Sequence, residues 1–450
     1  MDGRKEAEPA AVPERARQAG EIRARWAWVE PSVWTDRMLE ALEEGVKGGK
    51  WFSLIDKVYR RENLQAAFRK VAANQGAPGV DHVTIEQFKR EEATQLERLA
   101  RTLKDDTYQP QAIRRTYILK PGSREKRPLG IPTVRDRTVE AALRQVLEPI
   151  FERQFAERSY GFRPGRGCKD ALREVDRLLQ AGYRHVVEAD WKSYFDSIPW
   201  SQLMERVEEP IADGRVLALV EALLSQGVME EGRLREAKEG TPQGGVISPL
   251  LANIYLNALD HQMARKGYSM VRYADDLVIL CQSREQAQTA LEELWAWTTE
   301  AGLTLHPEKT RLVDMNQPGE GFDFLGYRFT HTRTGKLDRW PRAKSLRKFK
   351  DSLRAITRRS NGHSLKQIIQ RTNTVTRGWF EYFKHSNGWT YPPLDGWIRR
   401  RLRTILRHRQ HRKGRGSGFD HLRWTTVFFA ERGLFSMTQA YALACQSSRR

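Results

Sequence analysis

The sequence predicts an α+β fold, with helices packed on a mainly antiparallel sheet, followed by a strongly basic helical region. From about 105 to 330, short β-rich runs alternate with segments of helical spacing. Between 339 and 415 the chain carries 22 Lys and Arg against 3 Asp and Glu, nearly the whole net charge of +20. That stretch keeps apolar residues at helical spacing, so it is a folded region and not a solvated tail. With 39% hydrophobic residues over 450 positions, the chain can build a sizeable core in two or three domains.

The elements follow in order. Residues 1–21 are charged and lack the apolar core of a secretory signal, so a disordered tail is expected over roughly the first 25 residues. Residues 30–50 read as a short amphipathic helix, with Trp34, Met38, Leu39 and Leu42 on one face and Gly48 and Gly49 ending it. A second helix is expected over 62–73, before the turn signal GAPG at 76–79. Apolar and polar residues alternate over 113–119, which predicts a strand. Residues 138–155 and 251–263 have helical spacing, whereas 186–190 and 271–280 are β-rich. In the basic region Leu346, Phe349, Leu353 and Ile356 form one helical stripe. Leu394, Trp397, Ile398, Leu402 and Ile405 form another.

The charge calls for a polyanionic partner, and nucleic acid leads. An anionic membrane surface is the alternative, but no run of about 18 apolar residues could span a bilayer. Cys168, Cys281 and Cys445 lie far apart and make no Cys-x-x-Cys pair. Neither a structural zinc site nor a disulfide framework is expected, which fits a reducing, cytoplasmic location.

Asp275 and Asp276 interrupt the apolar segment VRYADDLVIL at 271–280, and Asp190 ends the apolar run before it. The segment reads as a hairpin with two acids at its tip. A plain solvated turn is the bland alternative, weakened by apolar flanks on both sides. Buried carboxylates repel one another unless cations compensate them. A pair of Mg²⁺ ions, which favour carboxylate oxygens and phosphates, would do so.

On these residues the chain resembles the group II intron-encoded reverse transcriptases, also called maturases, from about 50 to 440. Nine motifs stand in the family's order. GAPGVD at 76–81 resembles the extra N-terminal motif. Lys120 and Pro121 with RPLGIP at 127–132 resemble the first fingers motif, and SYGFRPGR at 159–166 the second. DWKSYFD at 190–196 is similar to the palm motif with the first catalytic aspartate, and GTPQGGVISP at 240–249 to the motif beside the nucleotide. YADD at 273–276 resembles the catalytic box. GLTLHPEK at 302–309 and GFDFLG at 321–326 resemble the last palm motifs, and RGWFEYF at 377–383 the core of the thumb.

The resemblance implies a right hand. An N-terminal extension covers 1–50, fingers and palm 51–335, a helical thumb or maturase domain 336–390, and a basic C-terminal segment 391–450. It implies an RNA-directed DNA polymerase that copies RNA template from a DNA primer with dNTPs, using two Mg²⁺ ions on Asp190, Asp275 and Asp276. Lys120 and Arg127 would grip the triphosphate. Phe195 would sit under the sugar and reject a 2′-hydroxyl. Gln243 would line the nucleotide, and Gly244 and Tyr273 the template and primer. Gly326 would belong to a primer-grip hairpin, with a β-bulge as the alternative. Arg399, Arg400, Arg401, Arg407, Arg409, Arg412 and Lys413 would contact RNA phosphates. His408 and His411 read as further phosphate contacts or surface residues.

The implied partners are the parent intron RNA and target DNA, in a bacterial-type cytoplasm where nucleoid association is open. The oligomeric state is not legible. No paired cysteines follow residue 330, so no DNA endonuclease domain is expected, and 422–436 reads as a short cap. The intact glutamine-glycine motif argues against the diversity-generating relatives. A domesticated polymerase in DNA repair or phage defence, and a splicing cofactor with little polymerase activity, are the alternatives.

Overall fold

The computed structural model describes residues 14–46, 48–119, 126–332, 334–412, 414 and 418–447. Among them run eleven strands: β1 (Ile113–Leu119), β2 (Lys126–Ile131), β3 (His185–Asp190), β4 (Val228–Glu230), β5 (Arg233–Arg235), β6 (Ser269–Tyr273), β7 (Asp276–Cys281), β8 (Arg311–Asp314), β9 (Gly321–Phe324), β10 (Tyr327–His331) and β11 (Leu337–Pro341). They form three sheets ordered β2-β1-β4-β5, β6-β7-β3-β8 and β11-β10-β9. All strand pairs are antiparallel except β1 with β4. The fold is therefore α+β with a mainly antiparallel sheet, as the alternating pattern predicts.

The central sheet shows why its strands are apolar on both faces. Side chains alternate across a strand. Val187, Ala189, Leu277, Ile279 and Cys281 join the core that includes Ala287, Ala290 and Leu294 of helix Arg284–Glu300. Val186, Val271, Val278 and Leu280 join a second cluster with Ala171, Val175, Leu178 and Leu179 of helix Cys168–Gln180. Covered on both sides, the strands read as continuous apolar runs. A charged residue there must have a reason.

Helix Val134–Glu152 begins four residues before the expected start. Thr133 caps it, its hydroxyl accepting from the Asp136 backbone N–H at 3.1 Å. It is nearly all buried and packs on helix Arg61–Ala73, which lies where the sequence placed it. The expected helix over 30–50 shrinks to Asp36–Glu44, ended by Gly45 at φ 96° and not by the later glycines. Trp34 lies outside that helix, fully buried, and its indole N–H donates to the Gln145 carbonyl at 3.0 Å. The N-terminal expectation is corrected in part. Glu14–Arg25 is helical, and the buried Trp26 and Val29 just after it anchor the segment. Residues 1–13 lie outside the described residues.

Past β11, helices Ala343–Ile356, Leu365–Phe383 and Tyr391–Arg409 share one apolar cluster. Phe349, Leu353, Leu394, Ile398, Leu402 and Ile405 of the two predicted stripes are buried in it, while Leu346, Ile356 and Trp397 are partly covered. Helices Thr426–Glu431 and Met437–Ser447 close over the cluster with Phe429 and Met437. Buried Asp395 ties the last helix on, accepting from the backbone of Met437 at 3.2 Å and Thr438 at 3.0 Å. This helical unit meets the sheets through Tyr327 and Tyr382. The Tyr327 hydroxyl donates to the Tyr382 carbonyl at 2.6 Å, and the Tyr382 hydroxyl to the Leu325 carbonyl at 2.7 Å. No described helix is long and apolar enough to cross a membrane.

Candidate active site

The β6–β7 hairpin places Ala274 and Asp275 in a two-residue turn, with Tyr273 paired to Asp276 across it. In the neighbouring strand Asp190 pairs in register with Asp276. The three acids therefore share one end of the central sheet, on adjacent strands and the turn between them. Ala274 holds φ at 57°, a left-handed conformation that costs a residue with a Cβ about 1–2 kcal/mol. Something must hold that turn.

Arg272, fully buried, is the main brace. Its guanidinium donates to the Ala274 carbonyl at 2.9 Å, to Asn253 Oδ1 at 2.9 Å, to Ser159 Oγ at 2.7 Å and to Asp260 Oδ1 at 2.8 Å. Burial alone would loosen its proton, but Asp260 outweighs that and holds it charged more firmly than usual. Gly161 backs the turn from outside. A Cβ on it would overlap the Ala274 nitrogen, so the SYG motif at 159–161 needs glycine for close approach.

The acids are under electrostatic stress. Burial pushes the Asp276 carboxyl up to about 7, with Asp275 and Asp190 adding repulsion and the Leu325 backbone N–H opposing it. Burial and then Asp190 also raise Asp275, against Arg127 and Arg272. Asp190 accepts from Lys309 Nζ at 2.6 Å, so an ammonium already sits on one of the three. Among the described residues no three acidic, His or Cys side chains close into a ready metal cage. The donor set nonetheless suits a hard divalent cation: it is all carboxylate oxygen, and the nearby arginines do not offset the burial and repulsion that raise Asp275 and Asp276.

The residues expected to meet the nucleotide lie on three segments. Arg127, exposed on β2, stands close enough to act on both Asp275 and Asp196. Lys120 lies outside the described residues. Phe195 sits half-buried in the turn Tyr194–Asp196, which is anchored by the Tyr194 hydroxyl on the Ala252 carbonyl at 2.6 Å. The loop at 240–245 runs between this turn and β2. Its Thr241 N–H donates to the Phe195 carbonyl at 2.6 Å, and the Gln243 carbonyl accepts from the Gly130 N–H at 2.7 Å. Gly244 holds φ at 118°, and a Cβ there would overlap the Gly130 carbonyl oxygen.

Sequence reasoning missed the carboxyl that holds this loop from behind. Glu140, on helix Val134–Glu152, accepts from the backbone N–H groups of Val246 and Ile247, the latter at 3.2 Å. Its other oxygen has no partner among the described residues. Burial pushes its pKa from 4.5 up to about 7, against those two N–H groups. The native state therefore keeps a proton that the unfolded chain releases, so this contribution to stability is complete below about pH 4.5 and lost as pH rises through 7. Across that window the loss is at most about 3 kcal/mol. Glu140→Gln should flatten the unfolding free energy between pH 5 and 8, measured by urea titration. An unchanged slope would mean that Glu140 is ionised in the fold.

Tyr273 is half-buried, and burial with the Cys168 thiol pushes its hydroxyl up to about 12. Gly326 forms, with Leu325, the two-residue turn joining β9 to β10, and not a bulge. Both residues have positive φ, 46° at Leu325 and 86° at Gly326. The same Leu325 backbone reaches Asp276, which couples this turn to the acids.

The arginine run divides by what each side chain meets. Arg400 and Arg412 are exposed and Arg399 is half-buried. Arg401 donates to the Thr357 hydroxyl at 2.5 Å and the Thr357 carbonyl at 2.8 Å. Arg407 pairs with Asp420 at 2.6 Å, and Arg409 reaches the His363 carbonyl. Arg403, given no role by the sequence, is buried on the Trp424 carbonyl. Lys413 lies outside the described residues.

Comparison with known proteins adds an independent line. A family model described as reverse transcriptase (RNA-dependent DNA polymerase) matches residues 118–329. One described as group II intron, maturase-specific domain, matches 346–424. Protein YkfC of Escherichia coli is 34% identical over 352 residues, covering 69% of this chain and 87% of that protein. The group II intron-encoded protein LtrA of Lactococcus lactis is 31% identical over 360 residues, covering 63% of this chain and 59% of LtrA. An uncharacterized 91 kDa protein in a cob intron of Schizosaccharomyces pombe is 27% identical, with 74% of this chain and 51% of that protein covered. The chain thus spans little more than half the length of the last two. Among solved structures, a partial Cas6-RT-Cas1–Cas2 complex aligns with 55% of this chain and 42% of its own at 22% identity. The TM-score of that alignment is 0.36.

Proposed function

Because the chain belongs to the group II intron-encoded reverse transcriptases, RNA-directed DNA polymerases with a maturase domain, we propose that it copies RNA into DNA at Asp190, Asp275 and Asp276 and assists the splicing of its parent intron RNA. The observation that carries the reading is the meeting of these acids at one sheet end, Asp190 in register with Asp276 and Asp275 in the adjoining turn. The three would hold two Mg²⁺ ions, which when bound supply charge stabilisation at the attacking and leaving oxygens.

The chain's own side chains do the rest. Arg127, with Lys120, binds the triphosphate, Arg as a planar fork and Lys as a point charge. Gln243 and Gly244 line the nucleotide and template, Phe195 lies under the sugar, and Tyr273 and Gly326 flank the primer. Arg399, Arg400 and Arg412 reach RNA phosphates. Arg401, Arg407 and Arg409 are bonded within the fold and add to the local positive charge, and Lys413 is assigned to the same RNA contact. In this reading 51–335 is fingers and palm, 336–390 thumb, and 391–450 the basic segment, after an extension at 1–50. The partners are an RNA template with DNA primer, dNTPs, intron RNA and target DNA, met in the cytoplasm.

The test is primer extension on an RNA template with dNTPs and Mg²⁺. DNA product that disappears on chelation is expected, and no product on RNA would overturn the polymerase half. Splicing of the candidate intron with and without protein tests the maturase half. Phe195→Ala should raise rNTP against dNTP incorporation by about tenfold or more, the scale of one lost steric contact. An unchanged ratio would remove Phe195 from the sugar.

A further inference from the structure

Asp196 follows Phe195 directly and ends the turn Tyr194–Asp196. It is not among the three acids assigned to metal. Its Oδ2 accepts from Gln243 Nε2 at 2.9 Å. The two segments are also joined through their backbones: Thr241 N–H donates to the Phe195 carbonyl at 2.6 Å, and Gly240 N–H to the Ile198 carbonyl at 2.8 Å. Gly240, at φ 86°, is pressed so close that a Cβ would stand 2.7 Å from the Asp196 carbonyl oxygen. On the other side the Gln243 carbonyl accepts from Gly130. The loop is therefore held on one side through Gly240 and Thr241 and on the other through the Gln243 carbonyl, while Asp196 is the one hydrogen-bond partner of the Gln243 side chain among the described residues.

A carboxylate only accepts hydrogen bonds, whereas a primary amide has one accepting and one donating end. The Gln243 NH₂ must therefore face Asp196. The flipped amide would set two oxygens against each other. Its Oε1 is left pointing away from Asp196, free to accept. Burial raises the Asp196 carboxyl above its ordinary value, while Arg115, the Gln243 amide itself and Arg127 pull toward the charged form. We propose that Asp196 is a positioning residue, which fixes the Gln243 amide in one orientation and so presents its carbonyl oxygen to a hydrogen-bond donor on the incoming dNTP. The inference rests on the polymerase reading of this site and assigns Asp196 no contact with substrate.

Asn in place of Asp196 keeps the shape but removes the orientation rule, because an Asn side chain can pair with either end of the Gln243 amide. The experiment is single-nucleotide incorporation on an RNA template by the full chain. It compares wild type, Asp196→Asn, Gln243→Ala and the double variant, with thermal unfolding of each. Asp196→Asn should raise the dNTP KM roughly tenfold, the scale of one hydrogen bond, with kcat within a factor of about two and an unchanged unfolding midpoint. Gln243→Ala should raise KM at least as much. The double variant should be no worse than Gln243→Ala alone, because Asp196 acts only through Gln243. An unchanged KM in Asp196→Asn would overturn the proposal. So would additive effects in the double variant, or a loss that tracks the unfolding midpoint. Failure of the wild type to incorporate dNTPs would instead strike the polymerase reading.

Discussion

Alanine at Asp275 should lower primer extension on an RNA template by about 10³-fold or more while leaving the metal-free fold as stable as before, or more so. The two directions follow from one feature. Asp275 stands in the hairpin turn beside Asp276 and within reach of Asp190, and burial with that repulsion raises its pKa. Removing it relieves its neighbours, since Asp275 is the largest charge acting against Asp276. A carboxylate kept in so unfavourable a place serves something other than stability. If it shares the charge of two Mg²⁺ ions, its loss removes electrostatic stabilisation of the reacting phosphate, worth several kcal/mol. Thermal unfolding with and without Mg²⁺ separates the two effects. The ion should raise the wild-type midpoint by binding the native state, and raise it less in Asp275→Ala. Equal extension by wild type and variant would show that the acid cluster is not the polymerase centre.

The acids and their hairpin were legible because their signal is local. Two aspartates inside VRYADDLVIL break an apolar run on both sides, which marks a hairpin there. Strand β1 lies where it was expected, Ile113 to Leu119, but its burial falls along the strand and does not alternate. What escaped was non-local. Arg272 lies in plain view inside an apolar strand, yet its acceptors come from other segments: Asn253 and Asp260 on the preceding helix, and Ser159, which is 113 positions away. Lys309 on Asp190 spans 119 positions and Glu140 on Ile247 spans 107. No spacing rule connects such pairs.

The basic run misled differently. Composition counts Arg399 to Arg412 as one patch, but it cannot show which side chains meet acceptors on other segments. Arg401, Arg403 and Arg407 bond to Thr357, Trp424 and Asp420, while Arg400 and Arg412 are exposed. The N-terminal helix Glu14–Arg25 was hidden by its polarity, and the buried aromatics that fix the segment come after it, at Trp26 and Trp34.

Arg272→Met should cost about 3–5 kcal/mol of stability, because it leaves Asp260 buried without its partner. The loss should appear as a lower urea midpoint. Activity should fall further than the folded fraction does. The Ala274 carbonyl, in the strained turn that carries Asp275, loses the donor that holds it, and the Ser159 and Asn253 oxygens lose theirs. A second substitution tells the two roles apart. Arg272→Met with Asp260→Leu replaces a buried ion pair by apolar side chains, which often restores stability. It restores nothing at Ala274. The double variant should therefore recover most of the urea midpoint yet extend primers at least about tenfold more slowly than wild type, at a temperature where both are folded. A turn displaced by even about 1 Å is enough for such a loss. Full recovery of extension in the double variant would reduce Arg272 to a packing element and leave Gly161 and the strand register to hold the turn by themselves.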